Sequence, residues 1–457
     1  MGFSLLVLCG MLLSCSSGPA PEAQKNMAAL APSSWKSGAI PGEVRNGWIS
    51  NFGDPLLVQL IAESMEKNPN LLIASAKLDQ AQAEARKAGA ALVPELDFNA
   101  GWTKTDQLKP DNNPLHQSDS TVLGASLQLS WELDIWGRLR EAHRGALEQF
   151  HASQADYDFA RQSLAAQVAK AYFLSVQTRL QRDLNRKLTG NFQDILQIVQ
   201  AQFDAGNVTR QDLANAKGDL ATSRQSAQAA ETAFNEANRS LETLLGRYPS
   251  NELETVKELQ ALPPPIPAGL PSQILERRPD IISAEREVAA AFHFTKEAQA
   301  ARLPRISLTP EIGVSGNALK SLIDPRQVVA NFAANLFQPL FDGGLRRAEF
   351  DRAQGAQKEA VAQYTKAALN AFQEVENALD NEDSLAKQEA QFSEAASNYG
   401  EARKTAELRY KEGATDLASV LLAQRQELQA LSSLISAKGG RLTQRVNLHL
   451  ALGGNFE

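Results

Sequence analysis

Catalysis needs convergent acids, bases, nucleophiles or metal ligands, and the residues able to supply them here are few and scattered. The five histidines are His116, His143, His151, His293 and His449. His143 and His151 lie eight positions apart, too far for the paired ligands of an HxxxH helix. The chain carries no Walker loop, no Rossmann glycine fingerprint and no GxSxG elbow. Its acidic residues mostly interleave with Lys and Arg on helix faces, where solvated pairs are the ordinary outcome. These features describe a protein that is not an enzyme and that uses no metal and no cofactor. The formal charge of −7, from 46 basic against 53 acidic residues, argues against nucleic acid held through its phosphates.

One residue does invite chemistry. The two cysteines are Cys9 and Cys15, so the body of the chain has neither a disulfide nor a thiolate metal site. Phe3–Leu13 is apolar and runs into Ser14-Cys15-Ser16-Ser17-Gly18-Pro19. An apolar stretch ending in Leu-Leu-Ser-Cys before a Ser/Pro/Ala-rich tether reads as a lipoprotein signal. Residues 1–14 are then a leader, Cys15 the lipidated residue, and 15–47 a tether. Ser16, rather than Asp, is the residue that permits sorting to an outer membrane. No Lys or Arg precedes the apolar run, so either translation starts upstream or the signal is weak.

The elements come next. The hydrophobic fraction is 43% and the charged fraction 22% over 457 residues, which excludes wholesale disorder. Mean hydropathy is −0.31, and after residue 15 no apolar run approaches the roughly 18 residues of a spanning helix. Hydropathy alone describes a soluble chain, but β-barrels cross membranes without such a run. The chain also repeats itself. Asn68-Pro69-Asn70-Leu71 resembles Arg278-Pro279-Asp280-Ile281, and Leu92-Val93-Pro94 resembles Arg302-Leu303-Pro304, each 210 residues on. Gly137-Arg138-Leu139-Arg140 meets Gly343-Gly344-Leu345-Arg346 at 206; Phe203-Asp204-Ala205-Gly206 meets Tyr410-Lys411-Glu412-Gly413 at 207. Ordered landmarks at nearly one offset mean a tandem duplication. The halves are 48–261 and 272–457, joined by a stiff proline-rich linker, 262–271.

Each half alternates two periodicities. Leu96, Phe98, Ala100 and Trp102 interleave with polar or small residues, as do Leu123, Ala125, Leu127, Leu129 and Trp131. Ile306, Leu308, Ile312 and Val314 do the same, then Ala330, Phe332, Ala334 and Leu336. These are four strands, about 95–104, 122–131, 305–315 and 328–337, each with one apolar face. Pro310 counts against the third. Elsewhere heptads dominate: Leu213, Leu220, Ala227, Phe234 and Leu241, and again Leu417, Leu421, Gln424, Leu428, Leu431 and Ile435. Such seams pack helices as coiled coils. Arg138–Ala205 holds no proline and can form one helix of roughly 100 Å. A helix of about 39 residues follows Gly206, and another of similar length runs from about Pro55 to Leu92.

Ten-residue alternating strands suit a transmembrane barrel, with Trp102 and Trp131 at strand ends. Four strands cannot close one, for about eight are needed, and lipid tolerates no open edge. Several chains must then contribute: two would give a filled barrel, three a barrel with a passage. A soluble β-sandwich layer is the competing reading. The lipid anchor and the repeat favour the barrel, giving a fold that is mainly α with a transmembrane β-barrel portion.

At this point the sequence resembles the TolC-like outer membrane efflux family, in its lipoprotein (NodT-type) branch, from about Trp48 to Gly454. Leu275-Glu276-Arg277-Arg278-Pro279-Asp280-Ile281 is similar to that branch's signature. Trp131–Arg138 and Gln338–Gly344 resemble its two strand-to-helix junctions, and Arg409–Gly413 with Ala423-Gln424-Arg425 its last helical turn. The resemblance implies a homotrimer with a shared twelve-stranded barrel, a helical periplasmic tunnel and an equatorial belt holding the linker. It implies a passive exit duct in outer membrane lipid, docked to a periplasmic adaptor (membrane fusion) protein and an inner-membrane pump of the RND type. Lys104–Thr121 and Gly316–Gln327 become outward loops. Asp204, Gly206, Asn207, Lys411, Glu412 and Gly413 become adaptor-contact tips.

Family members often carry an acidic residue two positions before the Ala-Gln pair; this chain has Leu421 and Leu422 there. The resemblance then suggests a gate of Leu417 and Leu421 latched by Tyr410 and Asp416, with Asp212 nearby. The Arg-Arg-Pro-Asp signature favours small-molecule efflux over type I protein secretion, which shares the architecture. An adaptor would have one hairpin rather than two, and a lipid-anchored coiled-coil protein would not need the strands.

Overall fold

The computed structural model describes residues 31–107 and 118–456. The leader, Cys15 and part of the first outward loop, including His116, lie outside them. The elements are α1 (Pro55–Lys67), α2 (Pro69–Ala90), β1 (Glu95–Gln107), β2 (Ser118–Leu133), α3 (Arg138–Asp204) and α4 (Arg210–Leu244). They continue as α5 (Ile274–Arg277), α6 (Pro279–Ala300), β3 (Arg305–Gly316), β4 (Val328–Phe337), α7 (Leu345–Lys411) and α8 (Leu417–Ala451). The duplication is visible in the lengths. α3 and α7 have 67 residues each, α4 and α8 have 35, and α2 and α6 have 22.

The stretch expected as one helix from about Pro55 to Leu92 is two helices. A residue before proline is pushed out of the helical region, and Asn68 is extended at φ −69°, ψ 123°. Its side chain accepts from the backbone of Asn70 and donates to the Leu244 carbonyl at 2.8 Å. In the second half Arg278 stands before Pro279 and donates to the Ala451 carbonyl at 3.2 Å. Two different side chains thus satisfy the same orphan carbonyl at the end of the hairpin's return helix.

The chain divides into two compact units that each draw on both repeats. One contains Lys77–Gln154 and Ser283–Thr365, and its centre is a four-stranded antiparallel meander in the order β1-β2-β3-β4. The register aligns the pattern read from the sequence. Phe98, Leu127, Ile312 and Ala330 form one row across all four strands, and Asp97, Gln128, Glu311 and Asn331 form the next. Over the middle of the sheet one face is therefore apolar and the other mostly polar or small. Pro310 does not end β3, although the pairs opposing it and Thr309 to Leu129 and Ser130 are missing from the β2–β3 ladder. A missing N–H costs ladder bonds locally and no more. At the strand-to-helix junctions Asp134 accepts from the Leu139 and Arg140 amides at 2.9 Å. Asp342 does the same for Gly344 at 3.0 Å and Arg346 at 3.3 Å.

The other unit takes the described residues of Ala28–Ala76, Ala155–Ile282 and Lys366–Glu457. Its main core gathers Trp48, Phe52, Leu57, Tyr172, Phe173, Leu241, Leu245 and Val446. The linker is pinned to it by Arg445, buried, which donates to the Pro263 and Pro264 carbonyls and pairs with Glu382. The tether segment is tied to the same linker, with the Trp35 indole N–H donating to Ala268 O at 3.2 Å. His449 stacks on Trp48 at 5.2 Å, and burial, aided by Arg445, pushes its pKa down to about 3. It is a neutral packing residue. Gly246, at φ +74° after α4, must be glycine because an added Cβ would lie 2.6 Å from the Lys67 carbonyl. Among the described residues no helix is long and apolar enough to cross a membrane.

Candidate functional site: the ends of the two helical hairpins

Both hairpins turn in the same way, for local reasons. α3 ends at Asp204, and Gly206 follows at φ +77°; α7 ends at Lys411, and Gly413 follows at φ +71°. The Gly206 amide donates to Phe203 O and the Asn207 amide to Gln202 O. Gly413 and Ala414 repeat this onto Tyr410 O and Arg409 O. This double bond across a left-handed glycine is the Schellman stop. The return helices start on caps. Thr209 and Asp212 form a reciprocal capping box at 2.9 and 3.1 Å; Asp416 accepts from the Ser419 amide at 2.9 Å and its hydroxyl at 2.6 Å. These bonds hold both carboxyls below the ordinary Asp value, Asp212 through Thr209 and Asp416 through Ser419.

The sequence-derived tip residues Asp204, Gly206, Asn207, Lys411, Glu412 and Gly413 are all exposed. The two tips touch through Tyr410, whose hydroxyl donates to Gln202 Oε1 at 2.9 Å. Above this bond a groove of about 430 Å³ is lined by Asp194, Ile195, Gln202, Glu407, Tyr410 and Gln424, among others. Gln424, buried, donates to Glu407 at 3.2 Å, and Arg403 bridges Glu407 and Glu427.

Leu417 and Leu421, the residues expected at a gate, pack against the first hairpin. Leu421 is 4% exposed and packs with Phe192 and Leu220. Leu417 packs, partly buried, on that cluster and on the adjoining one of Val199, Leu213 and Ala216. Both fasten α8 to the first hairpin, Leu421 wholly buried and Leu417 with one side left on the groove. The exposed member of the pair is Leu422, at 56%. The signal was available, since Leu417 and Leu421 sit on the heptad seam and seam positions face the partner helix. Thr209-Arg210-Gln211-Asp212 was also readable as a capping box. Gln202 carries no such mark, because its partner depends on how two distant helices are rotated. Among the described residues no group of three or more His, Cys, Asp or Glu could hold a metal ion.

The sequence model described as "Outer membrane efflux protein" matches residues 60–247 and 270–454. Pyoverdine export outer membrane protein OpmQ of Pseudomonas aeruginosa is 32% identical over 470 residues, covering 99% of this chain and 97% of that protein. Probable outer membrane lipoprotein SilC of Salmonella typhimurium is 28% identical, covering 90% of this chain and 88% of that one. The solved outer-membrane channel OprN superposes with a TM-score of 0.85 at 25% identity, covering 93% of this chain and 97% of that one. The family model spans both halves of the duplication and its lengthy helices, so the chain belongs to the outer membrane efflux protein family, an exit channel of the outer membrane whose strands are barrel strands and whose long helices are its periplasmic part.

Proposed function

We propose that three copies of this chain close a twelve-stranded barrel and form the outer membrane stage of a three-part efflux system. A periplasmic adaptor docks at the exposed tips and an inner-membrane pump of the RND type supplies the energy. The observation that carries the trimer is the sheet. Its face is apolar on every strand, yet among the described residues β1 and β4 each have a partner on one side only. In lipid those edges must be paired, and three such sheets give a lumen that the polar rows would line. Cys15 anchors each chain through lipid, which the lipoprotein SilC supports by likeness. Cargo is a small molecule handed over by the pump, in keeping with the pyoverdine export named for OpmQ.

The gate is revised from the sequence expectation. Tyr410 and Gln202 form the latch between hairpins; Leu417 and Leu421 hold α8 in place behind it; Asp212 and Asp416 cap the return helices. The test is purification from outer membranes, mass measurement of the oligomer and planar-bilayer recording. A trimer with unitary conductance is expected. A monomer without conductance would overturn the reading.

A further inference from the structure

Gln424 carries a hydrogen-bonding group that the chain leaves unused. The residue is 4% exposed. Its Nε2 donates to Glu407 at 3.2 Å, and its Oε1 is buried without a partner. A buried acceptor left unpaired costs free energy that a donor from outside the chain would recover. Gln424 stands in the wall of the groove of about 430 Å³ between α3, α7 and α8. With Asn191 it also lines a smaller hollow of about 210 Å³, which continues the groove away from the tips.

The groove is graded along its length. At the latch end stand Gln202, Tyr410 and Lys411. Its middle is apolar, with Ile195, Leu417, Val420 and Ile198, the last of them 48% exposed. At the far end Asp194, Glu407 and Gln424 present acceptors. Asp194 precedes Gln202 by eight residues, about 12 Å of helix. It is exposed, and among the described residues it has no ion-pair partner. Arg403 holds Glu407 and Glu427 from behind. Lys411, the basic residue of the lining, is at the opposite end. An anion would meet only acceptors beside the apolar floor. An ammonium ion brings three donors and no acceptor, and a tail of modest size suits a concavity of this volume with few polar groups.

We infer that this groove binds an amphipathic primary ammonium ion, its N–H groups toward Gln424 Oε1, Asp194 and Glu407 and its apolar body along Ile195, Ile198, Leu417 and Val420. Such a ligand touches α3 on one side and α7 and α8 on the other. It therefore ties together the helices that the Tyr410–Gln202 bond joins and keeps the duct shut. The site stands without the duct reading; its closing effect rests on that reading. Phenylbutylammonium is titrated into the full-length protein in lipid nanodiscs at neutral pH. Phenylbutanol and phenylbutyrate, which keep the body and lose or invert the charge, are titrated beside it. Saturable binding in calorimetry is expected for the ammonium, and at least about tenfold weaker binding for the other two. Gln424→Met removes the unpaired acceptor and should weaken the ammonium about tenfold without lowering the thermal midpoint. Asp194→Asn, at an exposed position, should weaken it about threefold. In bilayer recordings the ammonium should lower the open probability at concentrations that fill the site. Equal binding of the three compounds, or an affinity unmoved by Gln424→Met, overturns the site. Binding that leaves the open probability unchanged overturns the closing effect alone. A monomer without conductance overturns the duct, while the isotherms still decide the site.

Discussion

Leu421 and Leu422 are adjacent in sequence and opposite in role. Leu421 fills a cluster with Phe192 and Leu220, while Leu422 stands in the open. Leu421→Ala therefore removes buried methyl groups and is expected to lower stability by about 2–5 kcal/mol, read as a drop in thermal midpoint. Leu422→Ala should change stability by under about 0.5 kcal/mol and leave that midpoint nearly unmoved. Equal effects would mean that Leu421 is not held in that cluster. Tyr410→Phe deletes one hydroxyl and its bond to Gln202. A single such bond is worth about 0.5–1.5 kcal/mol, so the open probability of single channels should rise roughly two- to tenfold. No change in bilayer recordings would mean the latch lies elsewhere. These two residues also show where reading stopped: the leucine seam was legible as a heptad, but the tyrosine's partner was not, because no local pattern marks Gln202.

At the scale of elements the sequence was most informative where one period held without interruption. Strict alternation located all four strands, and the structure extends β1 to Gln107 and β2 over Ser118–Leu133. It erred at Asn68, which before Pro69 splits a helix, whereas the strand read through Pro310 is present because the flanking pairs still hold it. The return helices α4 and α8 start on carboxylates whose pKa values are lowered by their own hydrogen bonds. Unfolded Asp titrates near 3.9, so the caps contribute fully above that value and are lost as pH falls through the lowered folded values. Amide exchange, corrected for intrinsic rate, should therefore rise at 203–214 and 410–420 below about pH 4 and stay flat in the middle of α4. Unaltered protection of the tips down to pH 2 would remove the caps from the account.

For the whole molecule, the duplication was visible in the sequence, but the compact units were not, because each is assembled from both halves. The linker between the halves is pinned to the second half by Arg445, which satisfies two proline carbonyls and pairs with Glu382. Arg445→Met should cost about 3–5 kcal/mol, since it leaves a carboxylate and two carbonyls unpaired. Adding Glu382→Met should recover part of that loss, because an apolar pair of like volume avoids the stranded charge. Thermal melts of the single and double variants check both statements; a double variant no more stable than the single would show that the carbonyls carry the effect.

The equal lengths of the paired helices, 67 with 67 and 35 with 35, bear on how such a gene can change. Tyr410 reaches Gln202 only because both hairpins end at the same height. Seven codons lost from α7 and α8 alone would pull that tyrosine about 10 Å away and leave a duct with uneven feet. Matching losses in α3 and α4 would restore the contact on a shorter molecule. Deletions in this chain are thus inherited profitably only in sets of four, and the repeat, having duplicated once, has to be edited twice.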